Sequence, residues 1–294
     1  MTARGAALGL VIDRLVGEPV QDPHPVAVLG EVLGVLEQRL WRDDRSAGAA
    51  HAAAGVALGI VAGAVVRSTA VAVGVAAAGR MLGEEAMKVG RLLEAGDLGA
   101  ARDALGSLVG RDRASLDGPG IARAVVESVA ENTVDAVVAP ALWGAAAGAP
   151  GAVAHRAVNT LDAMVGHRSP RYERFGWASA RLDDGAAWVP ARVTAALVAA
   201  VRPASAGAVW QAVRHQAPAH PSPNAGVAEA AFAAALGVRL GGVQRYGDRV
   251  EHRPVLGTGR VPEAPDIRVA VRLAAHVQWA LAAALGAVAL ARRP

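Results

Sequence analysis

Hydrophobic and polar positions along this chain fall into long blocks rather than short alternations. Four apolar blocks approach the ~20 residues a helix needs to cross ~30 Å of hydrocarbon. They are Ser46–Val66, Ala136–His155, Gly185–Val201 and Leu273–Ala291. The first continues past Arg67 into Ser68–Gly79, which predicts either one long helix or a tight helical hairpin. The second carries Pro140, Gly144, Gly148 and Pro150 inside it. The third is weaker, holding Pro190 and Arg192, and the last is followed by Arg292 and Arg293. Each block alone would also suit a buried helix of an alanine-rich soluble protein. Together, with their flanking arginines, they favour membrane spans. Because most blocks carry Arg at both ends, the charges do not set an orientation. Between the blocks, Glu84–Ser115 reads as two surface helices, each stopped near a glycine. Pro203–Arg272 is the longest polar stretch. It contains an amphipathic-helix pattern, AEAAFAAALGVRLGG, and a Gly/Pro-rich segment from Arg253 to Pro265. The N-terminal run Gly5–Ile12 is interrupted by Asp13 and Arg14. It is too short to span and lacks a signal-peptide cleavage site. No internal repeat is evident. The expected architecture is all-α: a polytopic integral membrane protein with roughly four to five membrane-associated helices and polar helical loops. It is expected to form a single domain over residues 1–294.

Composition agrees. Of 294 residues, 53% are hydrophobic, and the mean hydropathy of +0.30 is high for a soluble enzyme. The chain has no cysteine, which removes disulfides, thiolate nucleophiles and Cys-based metal sites. The formal charge is +4 and Lys88 is the one lysine, so the basic character is arginine. No block of like charges and no basic–aromatic interleaving is present, which argues against nucleic-acid binding.

Three polar groups could carry chemistry. In the first, Arg123, Glu127, Glu131 and Asp135 stand four residues apart, so an α-helix would stack them along one slowly drifting face. The next twenty residues, Ala136 to His155, contain no Lys, Arg, Asp or Glu. Carboxylates at the edge of an apolar span are costly and are usually used. Glu127, Glu131 and Asp135 could hold a divalent cation or orient a cationic amine, or form a solvated face, with Asn132 beside them. The second group, HRAVNTLDAMVGHRSPRYERFG, presents Arg156, Asn159 and Asp162 at three-residue steps. Gly166 permits a turn, and Arg168, Arg171 and Arg174 follow. Three guanidiniums could clamp phosphate or carboxylate, or meet lipid headgroups. The third, HPSPNAG, is a proline-stiffened loop displaying His220, Ser222 and Asn224. An N-terminal counterpart places Glu18, Asp22 and His24 among prolines, and Asp183 and Asp184 form an acidic pair near Arg181. P-loop, dinucleotide-binding, GxSxG and HExxH motifs are all absent.

These segments resemble the CobD/CbiB family of cobinamide-phosphate synthases. The likeness runs through His24–Val26, LVGRD at Leu108–Asp112 and ESVAENTVDAVVAP at Glu127–Pro140. It continues through NTLDAMVG, RYERFGWASARLDD, WVPARVTA at Trp188–Ala195, HPSPNAG and ALGVRLGG at Ala235–Gly242. Many ordered motifs over nearly the whole chain make it specific. This sequence has Gly17-Glu18-Pro19 where Gly-Asp-Pro is common, Ala136 where Gly is common, and Val227-Ala228-Glu229 where Trp-Pro-Glu is more usual. None of these departures removes a charge type.

The resemblance implies a multi-pass cell-membrane protein of the late adenosylcobalamin pathway. It implies ATP-dependent amide formation between the corrinoid adenosylcobyric acid and aminopropanol or its phosphate, giving adenosylcobinamide or its phosphate. Such chemistry calls for an activated acyl group, charge neutralisation by Arg and Mg²⁺, and a base for the amine. On that implication Glu127, Glu131 and Asp135 hold Mg²⁺ or the amine, and Arg168, Arg171 and Arg174 hold phosphate. Asn132, Asn159 and Asp162 orient substrate, while His220 and Asn224 contact the corrinoid or move a proton. ATP and corrinoids are cytoplasmic, so the polar block should face that side. Membrane lipid is an expected partner, and other enzymes of the pathway are possible ones. A corrinoid transporter or a non-catalytic pathway scaffold is the competing class.

Overall fold

The structure, a computed structural model, describes residues 1–17, 24–110, 112–167, 169–246 and 249–292. In chain order it contains α1 (Thr2–Leu15), α2 (Pro25–Leu40), α3 (Arg45–Val66), α4 (Thr69–Ala76), α5 (Gly79–Glu94), α6 (Leu98–Ala104), α7 (Gly118–Thr133), α8 (Ala139–Leu161), α9 (Trp177–Val201), α10 (Ala206–His215) and α11 (Ala225–Leu236). A hairpin of β1 (Leu240–Tyr246) and β2 (Arg249–Leu256) follows, and then α12 (Ala264–Ala291). Two π-helical turns, Val134–Val138 and Asp162–Gly166, flank α8. Among the described residues, four helical stretches are long and apolar enough to cross a membrane: α3, the run containing α7 and α8, α9 and α12. At 1.5 Å per residue, the 22 residues of α3 extend about 33 Å. The chain is a helical, polytopic membrane protein.

The chain divides into two compact units. The first comprises Met1–Ala78, Asp135–Pro190 and Leu281–Pro294; the second comprises Gly79–Val134 and Ala191–Ala280. In the first unit, α8 packs against α1, α3 and α4. Lipid tails are as apolar as side chains, so close backbone approach supplies the cohesion. Gly55, Gly59 and Gly63 recur every four residues on α3 and face α8. A Cβ on Gly59 would lie 2.8 Å from the Ala154 Cα, and one on Gly63 would meet the Ala149 carbonyl. Gly9 of α1 similarly admits Val73 of α4. The Asp44 carboxylate caps the start of α3 by accepting from the Ala47 N–H at 2.7 Å.

Two expectations change here. Of the two alternatives for Ser46–Gly79, the single long helix does not hold: Arg67 turns to φ 58° and ends α3. The separate α4 then packs chiefly on α1 and α8. The Ala136–His155 block is also no straight span. At Gly148 the backbone adopts φ 69° and ψ −155°, and the Trp143 carbonyl comes against Gly151. Eight residues of straight helix would separate them by about 12 Å, so α8 folds back on itself. Pro150 cannot donate to the preceding turn, and the Ala145 carbonyl near the break accepts from the Thr2 hydroxyl at 2.7 Å.

In the second unit, α5 and α6 match the two predicted surface helices; α5 buries Leu82, Ala86, Val89 and Gly90 on one side. The expected amphipathic helix is instead a core helix. Residues Ala225–Ala233 of α11 are all buried, and Gly237 at φ 67° ends it. The VRLGG tail and the Gly/Pro-rich segment supply an antiparallel hairpin, with Val243 opposite His252 and Gln244 opposite Glu251. A bulge between Leu240 and Gly242 accommodates Gly241 at φ 85°. A Gly59→Leu change should force α3 from α8, an overpacking cost of about 1–3 kcal/mol. Thermal unfolding in detergent should show a lower midpoint; an unchanged midpoint would contradict the close packing.

Candidate functional site

A polar cavity of about 280 Å³ lies in the second unit, lined by residues of α7, the Leu108–Gly110 loop, the His220–Ser222 loop, α11 and the hairpin. Glu127 is its anchor. The residue is 3% exposed, and its carboxylate accepts from the Gly241 N–H at 2.7 Å and from the Gln244 amide at 3.3 Å. The Arg123 guanidinium stands 4.0 Å away, one helical turn earlier. A buried carboxylate is tolerable only with such partners. Gly241 can bring its N–H to Glu127 because its positive φ leaves the Pro254 carbonyl where a Cβ would stand.

His220 forms the opposite wall. It is 8% exposed, and Gly226 leaves room for its Cβ. Its Nδ1 lies 3.1 Å from the Ser222 carbonyl, and the Arg253 Nη1 lies 3.1 Å from its Nε2. An arginine can only donate, so Nε2 accepts from it, while Nδ1 meets both the carbonyl and the N–H of Ser222 at 3.1 Å; donors at both ring nitrogens favour a neutral imidazole. Burial is the main cause that holds the His220 pKa below the ordinary value; Arg253 adds to it, and the Ser222 backbone opposes. The Glu229 carboxylate of α11 approaches Nε2 at 3.8 Å. Arg253 is itself held by Glu251 at 2.9 Å. The Ser222 hydroxyl accepts from the Ala225 N–H at 3.1 Å, so the loop is tied to the start of α11. The Ser128 hydroxyl donates to the Leu108 carbonyl, and Asn132 donates to the Ser128 carbonyl, both at 2.9 Å. Leu108–Gly110 are thereby held as a rim.

Of the residues expected to be functional, Glu127, Glu131 and His220 line this cavity, Glu131 from an exposed position. Asn132 supports its rim. Asn224 is buried in the same unit and accepts from the Arg192 Nη1 at 2.9 Å. Asp135 belongs to the first unit and sits in the π turn after α7, so the four-residue stacking ends at Glu131. Asn159 and Asp162 are also in the first unit: Arg156 donates to Asn159 at 3.5 Å, and the Asp162 carboxylate occupies the space beside Gly166. Arg171 lies 3.1 Å from Glu37 and stacks on Trp41, and Arg174 lies 3.8 Å from Asp43. Arg168, Glu18 and Asp22 lie outside the described residues. Among those described, no three His, Asp or Glu side chains form a metal-holding group.

Sequence reasoning missed Glu229, Gln244 and Arg253. Glu229 was legible as the sole charge in an otherwise alanine-rich helix, a position that signals a partner. Gln244 and Arg253 carried no such signal, since their strands read as loop.

Spanning helices and a polar cavity carrying a neutral imidazole, carboxylates and an arginine define a membrane-embedded helical protein with the makings of an acid–base site. The chain belongs to the CobD/CbiB family, whose model, described as CobD/Cbib protein, matches residues 6–274. It is 48% identical over 305 aligned residues to the cobalamin biosynthesis protein CobD of Mycobacterium tuberculosis H37Rv, covering 99% of this chain and 97% of that one. It is 41% identical to the proteins of that name from Geobacter metallireducens and Chromobacterium violaceum. The first alignment covers 93% of both chains; the second covers 94% of this chain and 93% of the other. No solved structure matches the chain.

Replacing Glu127 with Ala should leave the buried Gly241 N–H unsatisfied, at roughly 1–3 kcal/mol. Hydrogen exchange at the hairpin should accelerate; unchanged exchange would contradict the anchoring role. A second expectation concerns pH. Because the native His220 pKa is depressed, the unfolded chain binds the proton first. This contribution to stability is full above the unfolded-state value of about 6.5 and is lost as pH falls towards the lower native value. The unfolding temperature should therefore fall on acidification below about pH 6.5, and His220→Asn should blunt the slope. An equal slope in both proteins would contradict a neutral buried His220.

Proposed function

We propose that this chain serves cobalamin biosynthesis by joining the carboxylate of adenosylcobyric acid to aminopropanol or its phosphate ester, at the expense of ATP. The observation that carries the reading is the second-unit cavity: a neutral imidazole, three carboxylates and an arginine gathered by motifs typical of the family. A carboxylate does not acylate an amine at neutral pH until its oxygen becomes a leaving group. Transfer of the γ-phosphoryl group gives an acyl phosphate and ADP. Attack by the free amine then forms the C–N bond and releases phosphate.

The cavity residues suit these demands. Arg253 offers planar, charge-assisted donors to a phosphoryl oxygen. Its shift towards phosphate would release the His220 Nε2, which then accepts the proton of the attacking amine. Glu229 would stabilise the resulting imidazolium. Glu131, exposed on the wall, would either hold the incoming ammonium group or join Glu229 on Mg²⁺. Mg²⁺ that travels with a nucleotide takes one or two protein carboxylates along with phosphate oxygens; Glu131 and Glu229 fit that number and the ion would offset phosphate charge. Glu127, fully engaged with Arg123, Gly241 and Gln244, is a positioning residue in this scheme. Both ATP and corrinoid intermediates are cytoplasmic, so the reading puts the cavity on that face of the cell membrane.

The test supplies detergent-purified protein with adenosylcobyric acid, ATP, Mg²⁺ and aminopropanol phosphate and follows amide product. Wild-type protein should form product only with ATP. Loss of a general base lowers turnover ~10²–10⁴-fold, and His220→Asn should fall in that range, with Glu131→Gln also impaired. Wild-type rates in both variants, with unfolding curves intact, would overturn the assignment.

A further inference from the structure

A second cavity, in the first unit, has the opposite chemistry. About 550 Å³ of space lies between α3, α8 and α9. Its walls are apolar, with Val56 and Ile60 from α3, Trp143 and Ala154 from α8, and Leu182 from α9. Ile60, Trp143 and Leu182 are exposed, so the space opens on the apolar flank of spanning helices. The Trp143 indole donates to the Ala186 carbonyl at 3.1 Å and is not available to a ligand.

One group on that wall is out of keeping. His155 is 2% exposed, and neither of its ring nitrogens has a hydrogen-bond partner. An imidazole always presents at least one N–H, and buried polar groups are normally paired. The space beside it is many times that of a water, whose share of the liquid is about 30 Å³. At the mouth stands Arg181, exposed to solvent or headgroups and electrostatically linked to Asp184, three residues on. Asp162 and Asp184 also interact, which sets the start of α9 beside the end of α8. Arg181 and Val158 therefore share one end of the space. From there the α8 wall runs through His155 and Ala154 to Pro150, about 12 Å of helix.

We propose that this cavity holds one anionic phospholipid. Its phosphate lies at Arg181, the His155 ring turns out of its closed position so that an N–H meets an ester oxygen, and one acyl chain fills the apolar run towards Pro150. The order of the groups along the wall is the order they take in such a lipid: charge, ester, hydrocarbon. A nucleotide or a polar metabolite would leave the greater part of the wall unmatched. The inference concerns a different cavity from the amide-forming one, and its test does not read activity.

Delipidated protein is titrated with dioleoyl phosphatidylglycerol or dioleoyl phosphatidylcholine, and retained lipid is counted by native mass spectrometry. Wild-type protein should retain one phosphatidylglycerol per chain, with preference over phosphatidylcholine of about fivefold, as expected for one arginine near an anionic surface. Arg181→Gln, an exposed change that spares the fold, should erase the preference. Ala154→Leu should abolish retention of both lipids; where it fails to fold, His155→Leu should weaken retention of both. Equal retention of the two lipids by wild-type protein, or an unaltered preference in Arg181→Gln, would overturn the proposal. So would occupancy by detergent alone.

Discussion

The second unit is organised around one buried carboxylate. Glu127 sits near the middle of α7, on a helix whose neighbouring residues are almost all buried. Placed there without partners, it would be among the most costly groups in the chain. Its oxygens are satisfied by a backbone N–H and a side-chain amide of β1. A requirement of α7 thereby fixes a hairpin more than a hundred residues later. With β1 fixed, β2 follows through the ladder, and Arg253 of β2 reaches His220. The cavity's two polar walls are thus consequences of satisfying one charge. A group so committed holds the site's geometry, while Glu131, one turn on and exposed, keeps its carboxylate towards the cavity.

The first unit solves a different problem. Helices among lipid gain little from burying apolar surface against each other. Glycines at four-residue spacing let α3 and α8 approach until backbone touches backbone. The same intimacy requires the reversal at Gly148, where a positive φ and the missing Pro150 donor turn a potential span into a folded-back pair. Irregular backbone at such a place needs substitutes for lost hydrogen bonds, and Thr2 supplies one to the Ala145 carbonyl.

What the sequence made legible follows from which signals are local. The long apolar runs of α3, α9 and α12 are visible because hydropathy accumulates over twenty residues. The family likeness and the Glu127–Glu131 and His220 positions were legible because they sit in dense, ordered motifs. The reversal at Gly148 was not, since glycine and proline in an apolar run signal a kink without stating its angle. The hairpin was hidden because Gly241 and Gly242 read as the tail of a helix pattern and Pro254 as part of a Gly/Pro-rich segment; the ladder, its bulge and the Glu127 bond make them strand. Glu229 and Arg253 were missed for a related reason. Their meaning lies in contacts with His220 across 9 and 33 positions, and no local spacing encodes such a meeting.

The central claim is that the second-unit cavity is where acyl activation and amide formation occur. It is tested most directly by a cryo-electron microscopy structure of the full chain with adenosylcobyric acid and a non-hydrolysable ATP analogue. The account predicts nucleotide phosphates against Arg253 and the corrinoid side-chain carboxylate between His220 and Glu131. Both ligands resolved elsewhere, with His220 and Arg253 still bonded to each other and the cavity unfilled, would contradict it.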